Sequence, residues 1–75
     1  MITLEKIKYN LIKAIEQSNL SQSEIARRIG VQPQTVHGYL NRNTLPSLEI
    51  LANLCAVLGV SANEILCIKK NDNLS

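Results

Sequence analysis

Hydrogen-bonding side chains are concentrated between residues 32 and 41 of this 75-residue chain. The apolar Val36, Tyr39 and Leu40 recur among them at the spacing of one helix face, which leaves the polar residues more outward. The outward residues are Gln32, Gln34, Thr35, His37, Gly38 and Asn41. Amide, hydroxyl and imidazole groups donate and accept hydrogen bonds, so the chemistry available here is the recognition of polar groups.

Patterns typical of catalysis or metal binding are missing from the sequence. His37 has no carboxylate, cysteine or second histidine at ligand spacing, and no nucleophile stands beside a base. Cys55 and Cys67 are 12 residues apart without a second cysteine pair, which favours two small buried hydrophobic residues over a zinc site. The chain also lacks paired carboxylates and a phosphate-binding glycine loop. We therefore expect no enzyme activity, no cofactor and no metal.

A short helix is predicted to begin at Gln22. Ser21 and Glu24 form the pattern of a capping box, in which the serine oxygen accepts from the Glu24 amide and the carboxylate accepts from the Ser21 amide. Gly30 can adopt the left-handed conformation that ends such a helix. The apolar face between these two signals consists of Ile25, Ala26 and Ile29.

A second short helix follows almost at once. Pro33 suits the first position of a helix because it lacks an amide hydrogen and has a preset φ, which makes Gln32 the N-cap. Only Val31 and its two neighbours are left for the turn. Two short helices joined so tightly have the geometry of a helix-turn-helix, whose second helix can enter the major groove of DNA.

The rest of the chain also predicts helices. Apolar residues at 3-4 spacing indicate an amphipathic helix over about residues 3–17. Residues 41–46 are predicted to form a polar loop, because the proline at its end disfavours a helical conformation for the residue before it. Ser47 is the expected cap of the next helix, and Gly59 is its expected end.

The last predicted helix is short. Ser61 and Glu64 form a second capping-box pattern in front of it. The sequence therefore predicts an all-α fold of five helices without a strand. We expect one domain over residues 1–68 and a flexible C-terminal tail over residues 69–75.

Composition limits the partners of the chain. The formal net charge is only +2, so any affinity for nucleic acid must come from a local patch. The longest uncharged stretch, residues 50–63, is too short and too interrupted by polar residues to span a membrane. The N-terminus has no basic segment followed by an apolar run, so we expect a cytoplasmic protein that is not bound to a membrane.

Several segments together resemble one known family. The capped first helix of the motif, its tight turn, the Pro-Ser-Leu-Glu segment and the Leu-Gly-Val-Ser segment occur in the register of Cro/cI-type helix-turn-helix proteins, also called the XRE family. These segments span residues 20–26, 30–31, 35–36, 46–49 and 58–66. The resemblance covers roughly residues 5–68. It implies a lambda-repressor-like five-helix domain that regulates transcription by binding double-stranded DNA, commonly as a homodimer on a twofold-symmetric operator.

The resemblance also implies particular DNA contacts. Base-reading positions correspond to Gln32, Pro33, Gln34 and Gly38, with Thr35 and His37 beside them. Phosphate-binding positions correspond to Gln22, Arg27, Asn41, Arg42 and Asn43. Gln34 is the strongest base-reading candidate, because an amide can form two hydrogen bonds with adenine N6 and N7.

Three positions in or beside the second helix of the motif depart from the usual family pattern. Gln32 stands where relatives have a small hydroxyl residue, and glutamine is a weaker cap. Arg42 stands where relatives often have glycine. Gly38 removes one side chain that could contact a base, so specificity rests on fewer contacts or the glycine permits close approach of the DNA.

Apolar residues near the C-terminus have two interpretations. Ile65, Leu66 and Ile68 either close the core or form an exposed strip. An exposed strip suits contact between two copies related by a twofold axis. We expect these residues to form a homodimer interface.

Two functions from different classes fit the predicted surface. The leading one is a sequence-specific transcriptional repressor of phage or mobile-element type, which occupies an operator and blocks polymerase. The alternative is a protein-interaction module, such as an antitoxin or anti-repressor, that uses the same helices to bind another protein. Strong salt dependence of DNA binding distinguishes the first from the second, because binding to phosphates releases counterions.

Overall fold

The computed structural model describes residues 1–41 and 44–68 of the chain. Five α-helices and no strand occur in this part of the chain. The helices are α1 (Leu4–Gln17), α2 (Gln22–Ile29), α3 (Pro33–Leu40), α4 (Leu48–Leu58) and α5 (Ala62–Leu66). The predicted all-α five-helix fold is confirmed, whereas the predicted tail at 69–75 lies outside the described residues. No helix within the described ranges has the length and apolar character needed to cross a membrane.

Side-chain caps fix where four of the helices begin. Thr3, Ser21 and Ser47 each accept a hydrogen bond through the hydroxyl from the amide three residues later, at 3.1–3.2 Å. At the start of α5 the full capping box is present, since the Ser61 amide also donates to Glu64 Oε2 at 3.3 Å. Each cap satisfies an amide that the helix itself leaves unpaired and contributes about 1 kcal/mol.

The capping box predicted for α2 is only half formed among the described residues. The Glu24 amide donates to Ser21 Oγ at 3.1 Å, but the Glu24 carboxylate accepts from the Arg27 guanidinium instead of the Ser21 amide. A hydrogen bond between two charged groups is stronger than one from a neutral amide, which explains this choice of partner. The second half of the prediction is therefore wrong.

Left-handed backbone conformations end three helices. Gly30 and Gly59 have φ of 78° and 70°, as their positions predict. Cys67 ends α5 with φ of 64°, and Asn19 between α1 and α2 has φ of 62°. Neither of the last two was predicted, because a non-glycine residue with positive φ has only a weak sequence signature.

The core is one apolar cluster to which every helix contributes. α2 packs against α3 and α4, while α1 packs against α3 and α5. The buried residues are Leu11, Ile15, Ile25, Ala26, Ile29, Val36, Tyr39, Leu54, Cys55 and Ile65. Because protein interiors are close-packed, α3 cannot shift without disturbing residues of its neighbours.

A side-chain clasp joins the first and last helices. The Asn10 amide Nδ2 lies 3.2 Å from the Glu64 carbonyl oxygen, 3.3 Å from the Ile65 carbonyl oxygen and 3.0 Å from Cys67 Sγ. It therefore donates to groups at the C-terminal end of α5, where carbonyls lack partners within the helix. The clasp holds α5 on α1.

Candidate nucleic-acid interface

α3 is mounted on the core by one of its faces. Val36 is fully buried and Tyr39 is 5% exposed. The turn before α3 is closed by the amides of Gly30 and Val31, which donate to the Ala26 carbonyl at 2.9 and 3.0 Å. These contacts fix the angle between α2 and α3, and helix geometry turns the opposite face of α3 to solvent.

Most of the predicted base-reading residues lie on or beside this solvent-facing surface. Its exposed members are Gln32, Pro33, Gln34 and His37. Thr35 is half-buried, and its amide donates to the Gln32 carbonyl at 2.9 Å. Gln32 is the N-cap but makes no side-chain capping bond, consistent with its expected weakness in that role. The structure thus places Gln32, Pro33, Gln34 and Thr35 at the N-terminal end of α3, the end with which a recognition helix contacts bases, whereas His37 lies in its last turn.

Gly38 lies against a residue of the loop that follows α3. A Cβ atom at this position would lie 2.7 Å from Thr44 Oγ1, and the Thr44 amide donates to the Gly38 carbonyl at 3.3 Å. Thr44 therefore occupies space beside Gly38, and both alternatives for this glycine, fewer base contacts or close approach of the DNA, stay predictions. Sequence reasoning missed Thr44, since no periodicity connects a loop residue with a helix residue six positions earlier.

Two of the predicted phosphate-binding residues lie at helix ends. Gln22 is exposed at the first position of α2, where unpaired amides and the helix dipole favour an anion. Asn41 is the exposed C-cap of α3, and its amide donates to the His37 carbonyl at 3.0 Å. Arg42 and Asn43 lie outside the described residues.

Arg27 is an exposed cation of α2 that has a partner on its own helix. Its side chain is 72% exposed, and its Nε donates to Glu24 Oε2 at 2.8 Å. Arg28 also approaches Glu24, with its Nη2 3.8 Å from Oε1. One carboxylate therefore partly neutralises two guanidinium groups. Glu24 is a further residue that bears on the predicted phosphate contacts, and its spacing of three and four residues from the arginines is a sequence signal that the capping-box interpretation obscured.

The predicted dimer residues do not form one exposed strip. Ile65 is 2% exposed and belongs to the core, so it is not available to a partner; this part of the prediction is wrong because a short helix must bury its apolar side to be stable. Ile68 is 50% exposed, whereas Leu66 is half-buried. Leu66 lines an apolar groove together with residues of α1, α4, α5 and the loop before α4, namely Leu4, Ile7, Leu11, Leu45, Pro46, Leu51 and Ile65.

Comparisons with known proteins agree with this architecture. The helix-turn-helix family model matches residues 11–65, which include all of α2, α3 and α4. The chain is also similar to the solution structure of the SOS-response transcriptional repressor LexA from Eubacterium rectale, with a TM-score of 0.73 and 24% identity, over 95% of this chain and 72% of that chain. At this identity the likeness shows the fold alone. No curated protein gave a significant match. Because the family model covers most of the sequence, the chain belongs to the helix-turn-helix family of DNA-binding regulators.

Proposed function

We propose that this protein is a sequence-specific transcriptional repressor that places α3 in the major groove of a palindromic DNA operator. The observation that carries the proposal is the polar face of α3, which is exposed while Val36 and Tyr39 anchor the opposite face in the core. A rigidly mounted helix with outward amides meets the geometric demands of base recognition, since poorly positioned groups lose hydrogen bonds and specificity.

Gln34 is the proposed main base-reading residue. Its side chain is exposed in the first turn of α3 and, by helix geometry, points away from the buried Val36. An amide donates through nitrogen and accepts through oxygen, so it matches the N6 and N7 groups of adenine in the major groove. Gln32 and His37 flank this position and supply further polar contacts.

Phosphate contacts are proposed on both sides of α3. The N-terminal end of α2 at Gln22 provides backbone amides, and Asn41 provides a polar group after α3. Arg27 is proposed to bind a phosphate by exchanging its Glu24 partner, which costs little because exposed ion pairs are weak. Arg42 and Asn43 are proposed to add to this set. Such contacts orient α3 but do not select the sequence.

The proposed assembly is a cytoplasmic homodimer that contacts two half-sites. Ile68 and Leu66 are the remaining candidates for the contact between copies, since each retains exposed apolar surface. The two recognition helices of such a dimer lie about 34 Å apart, one turn of DNA. A phage or mobile-element origin of the operator is part of the proposal and is tested by the sequence that the protein selects.

Selection of bound duplexes from a random DNA library tests this function. We expect the wild-type protein to recover a palindromic site with adenine at one position of each half, and Gln34→Ala to relax that position while retaining the others. Loss of a good bidentate contact lowers the preference for the correct base by about 1–3 kcal/mol. Gln17→Ala, at an exposed position of the last turn of α1, is the matched control and should select the wild-type site.

The same selection at two salt concentrations distinguishes the proposed DNA-binding function from the alternative, a protein-interaction module. A DNA-binding regulator loses affinity steeply with salt, in proportion to the number of phosphates it contacts. Recovery of no preferred sequence, together with weak salt dependence, would contradict the proposal and favour the protein-interaction module.

A further inference from the structure

We propose that Thr44 is an additional base-contacting residue, with its side chain taking the place of the one that Gly38 lacks. This inference rests on the proposed function. It assigns a specificity-determining role to a loop residue outside the recognition helix.

Residue 38 lies on the same face of α3 as Gln34. Residue 38 follows Gln34 by four positions, and residues at this spacing lie one above the other on a helix face. Val36, two positions before Gly38, is fully buried and defines the opposite face. A side chain at residue 38 would therefore extend from the same solvent-facing surface as Gln34.

Thr44 occupies the space that this missing side chain would fill. The ideal Cβ position at Gly38 is 2.7 Å from Thr44 Oγ1 and 3.8 Å from both its Cβ and its Cγ2. Thr44 is nevertheless exposed. Its hydroxyl and methyl groups thus lie on the surface of α3 one turn beyond Gln34.

Thr44 is also held in this place. Its amide donates to the Gly38 carbonyl at 3.3 Å, which ties the loop to the last turn of α3. Threonine is β-branched, and its χ1 angle is restricted. The side chain therefore has two constraints on its orientation before any DNA is bound.

The chemistry of threonine suits a base edge. Its hydroxyl can donate to or accept from base groups in the major groove, and its methyl group can contact the methyl of thymine. Four residues along a helix correspond to a rise of about 6 Å, and successive base pairs are about 3.4 Å apart. Thr44 should therefore act one or two base pairs from the position selected by Gln34.

The test compares the sites selected by wild type, Thr44→Ala and Thr44→Ser, with thermal melting as a check on folding. We expect Thr44→Ala to weaken the preference at one base pair near the Gln34 position by roughly two- to tenfold, the effect of one hydrogen bond. Thr44→Ser keeps the hydroxyl and should retain a preference there that depends on a hydrogen bond. Unchanged preferences in Thr44→Ala, or a uniform loss of affinity at all positions, would overturn the inference.

A second pair of variants separates base contact from a purely structural role. Gly38→Ala must displace the Thr44 hydroxyl, so it should lose the same preference as Thr44→Ala. The double variant Gly38→Ala/Thr44→Gly removes the overlap. If Thr44 only shaped the loop, this double variant would lose affinity at all positions alike, whereas a base-contacting Thr44 predicts that it loses the preference at one base pair only, as Thr44→Ala does.

Gln34→Ala distinguishes the failure of this inference from the failure of the proposed function. If Gln34→Ala relaxes one base position and Thr44→Ala relaxes none, the regulator remains and only the role of Thr44 is refuted. If wild type selects no sequence, both proposals fail together.

Discussion

Glu24 controls how much of the positive charge on α2 is available to a ligand. Its carboxylate accepts from Arg27 and lies 3.8 Å from the Arg28 guanidinium, while the two arginine side chains remain 72% and 45% exposed. Exposed ion pairs of this kind stabilise a protein by less than about 1 kcal/mol. The pairing therefore affects binding of an anion more than it affects folding.

Replacing Glu24 by glutamine should strengthen DNA binding. Glu24→Gln frees both guanidinium groups to bind phosphate, so we expect a lower Kd. We also expect the slope of log K against log salt concentration to become steeper by up to about one unit, which corresponds to one more phosphate contact. Titration of the selected duplex at several salt concentrations measures both quantities. Glu16→Gln is the matched control, because it changes the net charge equally at an exposed position of α1. Equal effects of the two substitutions would show that only the overall charge matters.

At the scale of elements, α5 depends on its neighbours. It has only 5 residues, far fewer than an isolated helix needs to be stable in water. The capping box at Ser61 fixes its start, the buried Ile65 anchors its middle, and Asn10 binds its end. α5 is thus stabilised both by local signals in its own sequence and by one contact from a distant helix.

Loss of the clasp should destabilise the fold. Asn10→Ala removes the donor to the Glu64 and Ile65 carbonyls, and we expect the free energy of unfolding to fall by about 1–3 kcal/mol. Urea denaturation followed by circular dichroism measures this change. Asn53→Ala, at an exposed position of α4, is the control and should be neutral or slightly stabilising because alanine favours helix. A loss no larger than that of the control would show that the clasp adds nothing to stability.

At the scale of the whole molecule, the core includes two groups that ionise at alkaline pH. Burial raises the pKa of the Tyr39 hydroxyl. Burial, and to a lesser degree the negative charge of Glu64, raise the pKa of the Cys55 thiol. Both groups therefore remain protonated in the native state to a higher pH than in the unfolded chain.

Stability should consequently decrease as the pH rises. Above about pH 8.5, the unfolded chain releases the Cys55 proton while the native state still retains it, and the free energy of unfolding falls until the native pKa is passed. Tyr39 adds a further loss above about pH 10. Urea denaturation under reducing conditions at pH 7 and pH 9.5 measures the effect. Cys55→Ala should lose less stability than wild type over this interval, and an equal loss in both proteins would argue against the role of the thiol.

Much of this architecture could be predicted from the sequence, because its signals are local. Ser21, Ser47 and Ser61 cap the helices that they were expected to cap, and Gly30 and Gly59 end theirs in the left-handed conformation. A cap or a helix end depends on a few consecutive residues, so the pattern and the structure coincide. The outward position of Gln34 follows in the same way from helical spacing.

Contacts between distant segments were decided only by the tertiary structure. No local pattern predicts that Thr44 lies against Gly38, or that Asn10 donates a hydrogen bond to the end of α5. Each contact depends on how the chain folds between the two residues. The burial of Ile65 likewise depends on how α5 lies against α1 and α4. The sequence by itself determined which helices form and which face of α3 is polar. Packing determined which side chains from other segments lie on that face, because loop conformation and helix packing depend on contacts that local propensity does not encode.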